Sequence, residues 1–76
     1  MATTKATSLI VDIVRAGGGV IIDADKAGSQ LVEIAAAASK SDATVIVKNA
    51  HKKATSQLVA IAVAGKGKVI FDLTKP

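Results

Sequence analysis

Lys53-Ala54-Thr55-Ser56-Gln57-Leu58-Val59-Ala60-Ile61-Ala62-Val63-Ala64-Gly65-Lys66-Gly67-Lys68-Val69-Ile70-Phe71-Asp72-Leu73 fills the chain to within three residues of its end. Ser56 to Ala64 is apolar or small but for Gln57, with no proline, and reads as a helix. Gly65 is well placed to end it in a left-handed turn. The β-branched run Lys68 to Leu73 then reads as a strand. One helix, one glycine stop and one strand make a single αβ unit.

The same pattern occurs twice more upstream. Aligned on the serine of the opening tetrad, the units are Lys5-Ala6-Thr7-Ser8, Lys26-Ala27-Gly28-Ser29 and Lys53-Ala54-Thr55-Ser56. Two residues on stand Ile10, Leu31 and Leu58, and then Val11, Val32 and Val59. Asp12, Glu33 and Ala60 follow, then Ile13, Ile34 and Ile61, and eight residues past the serine Ala16, Ala37 and Ala64. The opening lysines are spaced by 21 and 27 residues, inside the range of stacked repeats. The reading is one domain, residues 1–76, with units at about 5–25, 26–52 and 53–76.

Thr7, Gly28 and Thr55 fit the N-cap, where a threonine oxygen accepts from an orphan N–H and glycine is tolerated. Alanine before each cap and valine four after it have hydrophobic-staple spacing. Helices are expected at Ser8–Ala16, Ser29–Ser39 and Ser56–Ala64, with Gly17 ending the first and Lys40-Ser41-Asp42 leading out of the second. Strands are expected at Val20–Ala24, Thr44–Asn49 and Lys68–Leu73. Helical crossovers of this length demand parallel strands with right-handed connections. The fold class is therefore α/β: three αβ repeats, a three-stranded parallel sheet and helices on one face.

Side-chain alternation sorts the sheet's faces. Val20, Ile22, Ala24, Val45, Val47, Val69, Phe71 and Leu73 share the more apolar side, which should meet the helices. The opposite side carries Ile21, Ile46 and Ile70, then Asp23, Lys48 and Asp72. In strand order 1-2-3 these make a row of isoleucines and a charge ladder, in which neighbouring opposite charges help by ~0.2–1 kcal/mol each. A central first strand would set Asp23 against Asp72, so the charges favour order 1-2-3.

This alternation, with the strand pattern Val45-x-Val47, resembles leucine-rich-repeat-like tandem units and small bacterial α/β tandem-repeat proteins of unassigned function. The resemblance spans nearly the whole chain and implies a binding scaffold. Where that family carries an asparagine ladder, this sequence has Asp25, Ala50 and Thr74.

Composition narrows the function. Half of the 76 residues are hydrophobic and mean hydropathy is +0.45, a large apolar surface for so short a chain to hide. There is no cysteine, so neither disulfides nor thiolate metal sites are expected. The run after Met1-Ala2-Thr3-Thr4-Lys5, Leu9 to Val14, is too short and too interrupted by Asp12 for a signal core or membrane span. A cytoplasmic protein with no membrane association is expected. Net charge is +4, but nine of the ten basic residues are lysine and Phe71 is the sole aromatic. Sequence-reading nucleic-acid binders use arginine forks and aromatic platforms, so only weak, non-specific attraction to nucleic acid or other anions is expected.

No motif carries catalysis or a cofactor. Ala16-Gly17-Gly18-Gly19-Val20 and Ala64-Gly65-Lys66-Gly67-Lys68 run from helix to strand, opposite to a phosphate loop. His51 is a lone histidine read as a solvated loop residue, and one histidine makes no metal site. The carboxylates form no sheltered pair for acid–base work. A non-enzymatic domain is expected, acting through protein contacts with itself or another protein. Its partner surface is the isoleucine face: Ile21, Ile46 and Ile70 with Asp23, Lys48 and Asp72. The alternative is an anion site on the strand-to-helix rim, Lys26, His51, Lys52, Lys53 and Thr55, at the sheet edge where open α/β folds place ligands.

Overall fold

A computed structural model describes residues 5–74; the lead-in Met1–Thr4 and the last two residues of the third unit lie outside the described residues. The elements run α1 (Thr7–Arg15), β1 (Val20–Asp23), α2 (Gly28–Ser41), β2 (Val45–Lys48), a 3-10 turn (Ala50–Lys52), α3 (Thr55–Gly65) and β3 (Val69–Phe71). The sheet is parallel in order β1-β2-β3, as the charge argument requires. Val20, Val45 and Val69 stand side by side, as do Ile21, Ile46 and Ile70.

The helices cover one face. Ile22, Ala24, Val45 and Val47 are buried there against Ile10, Val14, Leu31, Ile34 and Ile61. Exposure on the same side rises toward the open edge: Val69 and Phe71 are half-buried and Leu73 is exposed. α2 is flanked by α1 and α3, and its alanines permit close approach. Ala35, Ala37 and Ala38 are all buried.

Three local readings need correction, the first being that Lys40 and Ser41, expected to lead out of α2, are its last turn, with Asp42 as the cap. The helices begin one residue earlier than expected, with Ala6, Ala27 and Ala54 as N-caps and Thr7, Gly28 and Thr55 as first helical residues. Alanine has no acceptor, so no side chain caps any of the three starts; Gln57 Oε1 accepts weakly from the Ala54 N–H at 3.4 Å. The helix-stop role of Gly65 passes to its neighbours, since Lys66 (φ 49°) and Gly67 (φ 89°) are left-handed. Gly65 is the last helical residue, and a Cβ on it would lie 2.4 Å from Val69 Cγ2 and 3.4 Å from Ala35 Cβ. Its smallness serves packing. Gly17 (φ 96°) does turn left-handed after α1, as expected.

The units are also tied by polar bonds. Ser41 Oγ at the end of α2 donates to the Val14 carbonyl at the end of α1 (2.5 Å). Lys26 Nζ donates to the Lys5 carbonyl (3.2 Å) and to Thr7 Oγ1 (3.1 Å). Lys68 Nζ pairs with Asp42 at 2.5 Å, and Asp42 (φ 67°) is the left-handed cap that ends α2.

Candidate functional site

The uncovered sheet face is built by the strand pleat. Ile21 is 65% exposed and Ile70 54% exposed, on either side of the half-buried Ile46. The three are in register across the sheet, so the sequence-derived row is brought together.

The charge ladder beside it is arranged differently. Asp23 and Lys48 are register partners, but β3 ends at Phe71, so Asp72 stands just past the strand. Both carboxylates turn toward the loops at the strands' carboxyl ends. Asp23 Oδ1 accepts from the Asp25 N–H (3.0 Å) and Oδ2 from Asn49 Nδ2 (2.6 Å). Asp72 Oδ1 accepts from the N–H of Thr74 (3.0 Å) and from its hydroxyl. These bonds to the charged form hold both carboxyls below the usual aspartate range: the Asn49 amide dominates for Asp23 and the Thr74 hydroxyl for Asp72. Asp23 is buried, whereas Lys48 is exposed. Asn49, which sequence reasoning gave no role, is a cross-strand polar tie. The signal was present: asparagine tolerates the left-handed backbone that this loop needs (φ 60°).

The rim residues are divided between places. Lys26 is engaged between the first two units through Lys5 and Thr7. His51, Lys53 and Thr55 line one open groove of about 380 Å3 at the α3–β3 end, with Val59, Phe71 and Leu73 on its apolar walls. Lys52 is exposed and does not line it. His51 is not the solvated loop residue expected: it is half-buried, and its Nδ1 is buried without a hydrogen-bond partner among the described residues.

A second apolar surface adjoins this groove and follows from the composition of α3, which is hydrophobic around nearly its whole circumference. Val59 and Val63, one turn apart, are 56% and 70% exposed. At the opposite end of the stack Leu9 and Ile13 of α1 are exposed in the same way. No described helix is long and apolar enough to cross a membrane. Comparison with protein-family models, with curated proteins and with solved structures returns no match.

Proposed function

We propose that this chain is a non-enzymatic interaction domain that binds protein surfaces through exposed apolar side chains, copies of itself foremost. One observation carries the reading: Leu9, Ile13, Ile21, Val59, Val63, Ile70 and Leu73 are all exposed on a chain of 76 residues. Full burial of one such side chain contributes roughly 1.5–3 kcal/mol. Several left in water forgo a large part of the ~5–15 kcal/mol that holds a domain folded. The in-register isoleucines are the proposed partner surface on the sheet face, bordered by Lys48.

The test is molar mass in solution across protein concentration at two salt levels. Apolar association raises the mass with concentration and persists or strengthens in sulfate. A single-protomer mass throughout contradicts the self-assembly reading.

A second reading is favoured by the groove shared by His51, Lys53 and Thr55: an anion or non-specific nucleic-acid site at the lysine-rich rim. It requires amide shifts at His51, Lys53 and Thr55 together on adding polyphosphate at low salt. It also requires steep weakening with salt. Shifts spread evenly over all surface lysines reject it.

A further inference from the structure

The middle unit shows what each end of the stack lacks. Positions aligned by sequence divide into two sides. In α2, Ile34 and Ala37 are buried; their counterparts in α1, Ile13 and Ala16, are exposed, while those in α3, Ile61 and Ala64, are buried and half-buried. These positions therefore face the preceding unit, and α1 has none among the described residues. Leu31 and Ala35 of α2 are also buried. Their counterparts Ile10 and Val14 in α1 are buried, whereas Leu58 and Ala62 in α3 are half-buried and exposed. These positions face the following unit, and α3 has none among the described residues. The contact of a built Gly65 Cβ with Ala35 agrees with this division.

The backbone repeats the division. The Val20 N–H donates forward to the Thr44 carbonyl (3.1 Å), and the Val45 N–H donates forward to the Lys68 carbonyl (2.9 Å). Val69, their register partner, occupies the same position in β3, the edge strand, with no following strand among the described residues. Its counterpart acceptor would be the carbonyl of the residue before β1, Gly19.

A lysine tie also joins the first two units, though Gly28, at the position of Thr7, offers Lys53 no hydroxyl with which to repeat it. Lys26 reaches back to the Lys5 carbonyl and the Thr7 hydroxyl. The positions aligned with those acceptors at the far end are Lys53 and Thr55, and Thr55 again supplies a hydroxyl. Lys5 opens α1 at the position Lys26 holds before α2.

From the helix-side and backbone correspondences we propose that the α3–β3 end of one protomer receives the α1–β1 end of a second copy as its next unit. The copies then stack head to tail, with β3 and the neighbour's β1 in parallel register. This rests on the self-assembly reading and specifies its contact. Ile13 and Ala16 of the incoming copy cover Leu58, Val59 and Ala62. The contact joins two different surfaces and does not close on itself in a pair, so the assembly lengthens with concentration. It also continues the isoleucine row from Ile70 onto the next copy's Ile21.

Two variants of the full chain test it, each charging one end at an exposed position: Ile13→Lys and Val59→Lys. Sedimentation velocity of wild type should show mass rising beyond two protomers. Each variant alone should remain at single-protomer mass at the same concentration. An equimolar mixture should reach the mass of two protomers and stop, because one intact tail meets one intact head. A variant that assembles as wild type does, or a mixture that stays monomeric, overturns the head-to-tail contact while leaving self-assembly standing. Wild type that never associates overturns both. Should a variant lose its helical dichroism, amide exchange of wild type decides. The Val69 and Phe71 N–H groups should slow by about tenfold or more between dilute and assembled samples, and unchanged rates at both overturn the contact.

Discussion

Gly65 and Lys66 carry opposite expectations. Gly65 is helical, and its missing Cβ makes room for Val69 and Ala35. Gly65→Ala gains up to ~1 kcal/mol of helix propensity. It also forces a clash on a β-branched side chain with one preferred rotamer, and overpacking costs ~1–3 kcal/mol. Urea unfolding should show a net loss of about 1–2 kcal/mol. Lys66 holds the left-handed cap of α3 with φ 49°, where glycine is the favoured residue, so Lys66→Gly should gain about 0.5–1 kcal/mol. A stabilising Gly65→Ala would contradict the packing role, and a destabilising Lys66→Gly would return the helix-stop role to Gly65. Asn49 is the other residue whose effect is separable. Asn49→Gly keeps the left-handed backbone and removes the amide that bonds Asp23, costing about 1–2 kcal/mol at neutral pH. Because the folded Asp23 carboxyl titrates below its ordinary value, its stabilisation is complete above that value, roughly 3.9. It is lost as pH falls through the depressed folded value. Urea midpoints of wild type should therefore drop between about pH 5 and pH 2 more than those of Asn49→Gly. Parallel pH profiles would show that Asn49 does not set the Asp23 carboxyl.

At the scale of elements, the order of helices and strands was legible because each of three aligned units opens with Lys-Ala-x-Ser and closes on a short β-branched run. Strand order was legible from Asp23, Lys48 and Asp72, even though the carboxylates spend their hydrogen bonds on turns. The helix starts were displaced by one residue for a physical reason. Threonine and glycine are favoured at an N-cap in general, but Ala6, Ala27 and Ala54 take the extended cap conformation here (ψ near 147°) without any side-chain bond. Local preference was overruled by the register in which Ile10, Leu31 and Leu58 turn inward. This assignment makes a paired prediction. Ala54→Asp should stabilise by about 1 kcal/mol, supplying an acceptor to the first-turn N–H groups and a charge suited to the helix dipole. Thr55→Ala should change stability by less than about 0.5 kcal/mol. If Thr55→Ala instead costs about 1 kcal/mol, the cap lies at Thr55. Equilibrium unfolding of the two variants decides between these positions.

For the whole molecule, a Cα radius of gyration of 10.9 Å lies close to the ~11.4 Å expected for a compact chain of this length. The exposed isoleucines and valines are therefore not a sign of loose packing; the described elements pack tightly and still leave them uncovered. That Ile21, Ile46 and Ile70 form a row followed directly from side-chain alternation and the parallel register. The apolar ends of the stack were less legible. The exposure of Ile13 and Val59 depends on which helix has a neighbour on each side, a property of the stacking order and not of any local motif. The groove that gathers His51, Lys53 and Thr55 while leaving Lys26 and Lys52 elsewhere depends on it too. Ile46→Lys tests the sheet face apart from the ends. Ile46 is half-buried on the side away from the helices, so the variant should stay folded by far-UV dichroism and lose any association made through that face. Unfolding would mean that the isoleucine row belongs to the core. The central claim, that exposed apolar surface makes this chain self-associate, meets its most direct test in sedimentation velocity of the wild-type protein. The measurement spans dilute to concentrated samples, at low salt and in sulfate. The account predicts a mass that climbs with concentration and is undiminished in sulfate; a single-protomer mass at every concentration, or association abolished by salt, would contradict it.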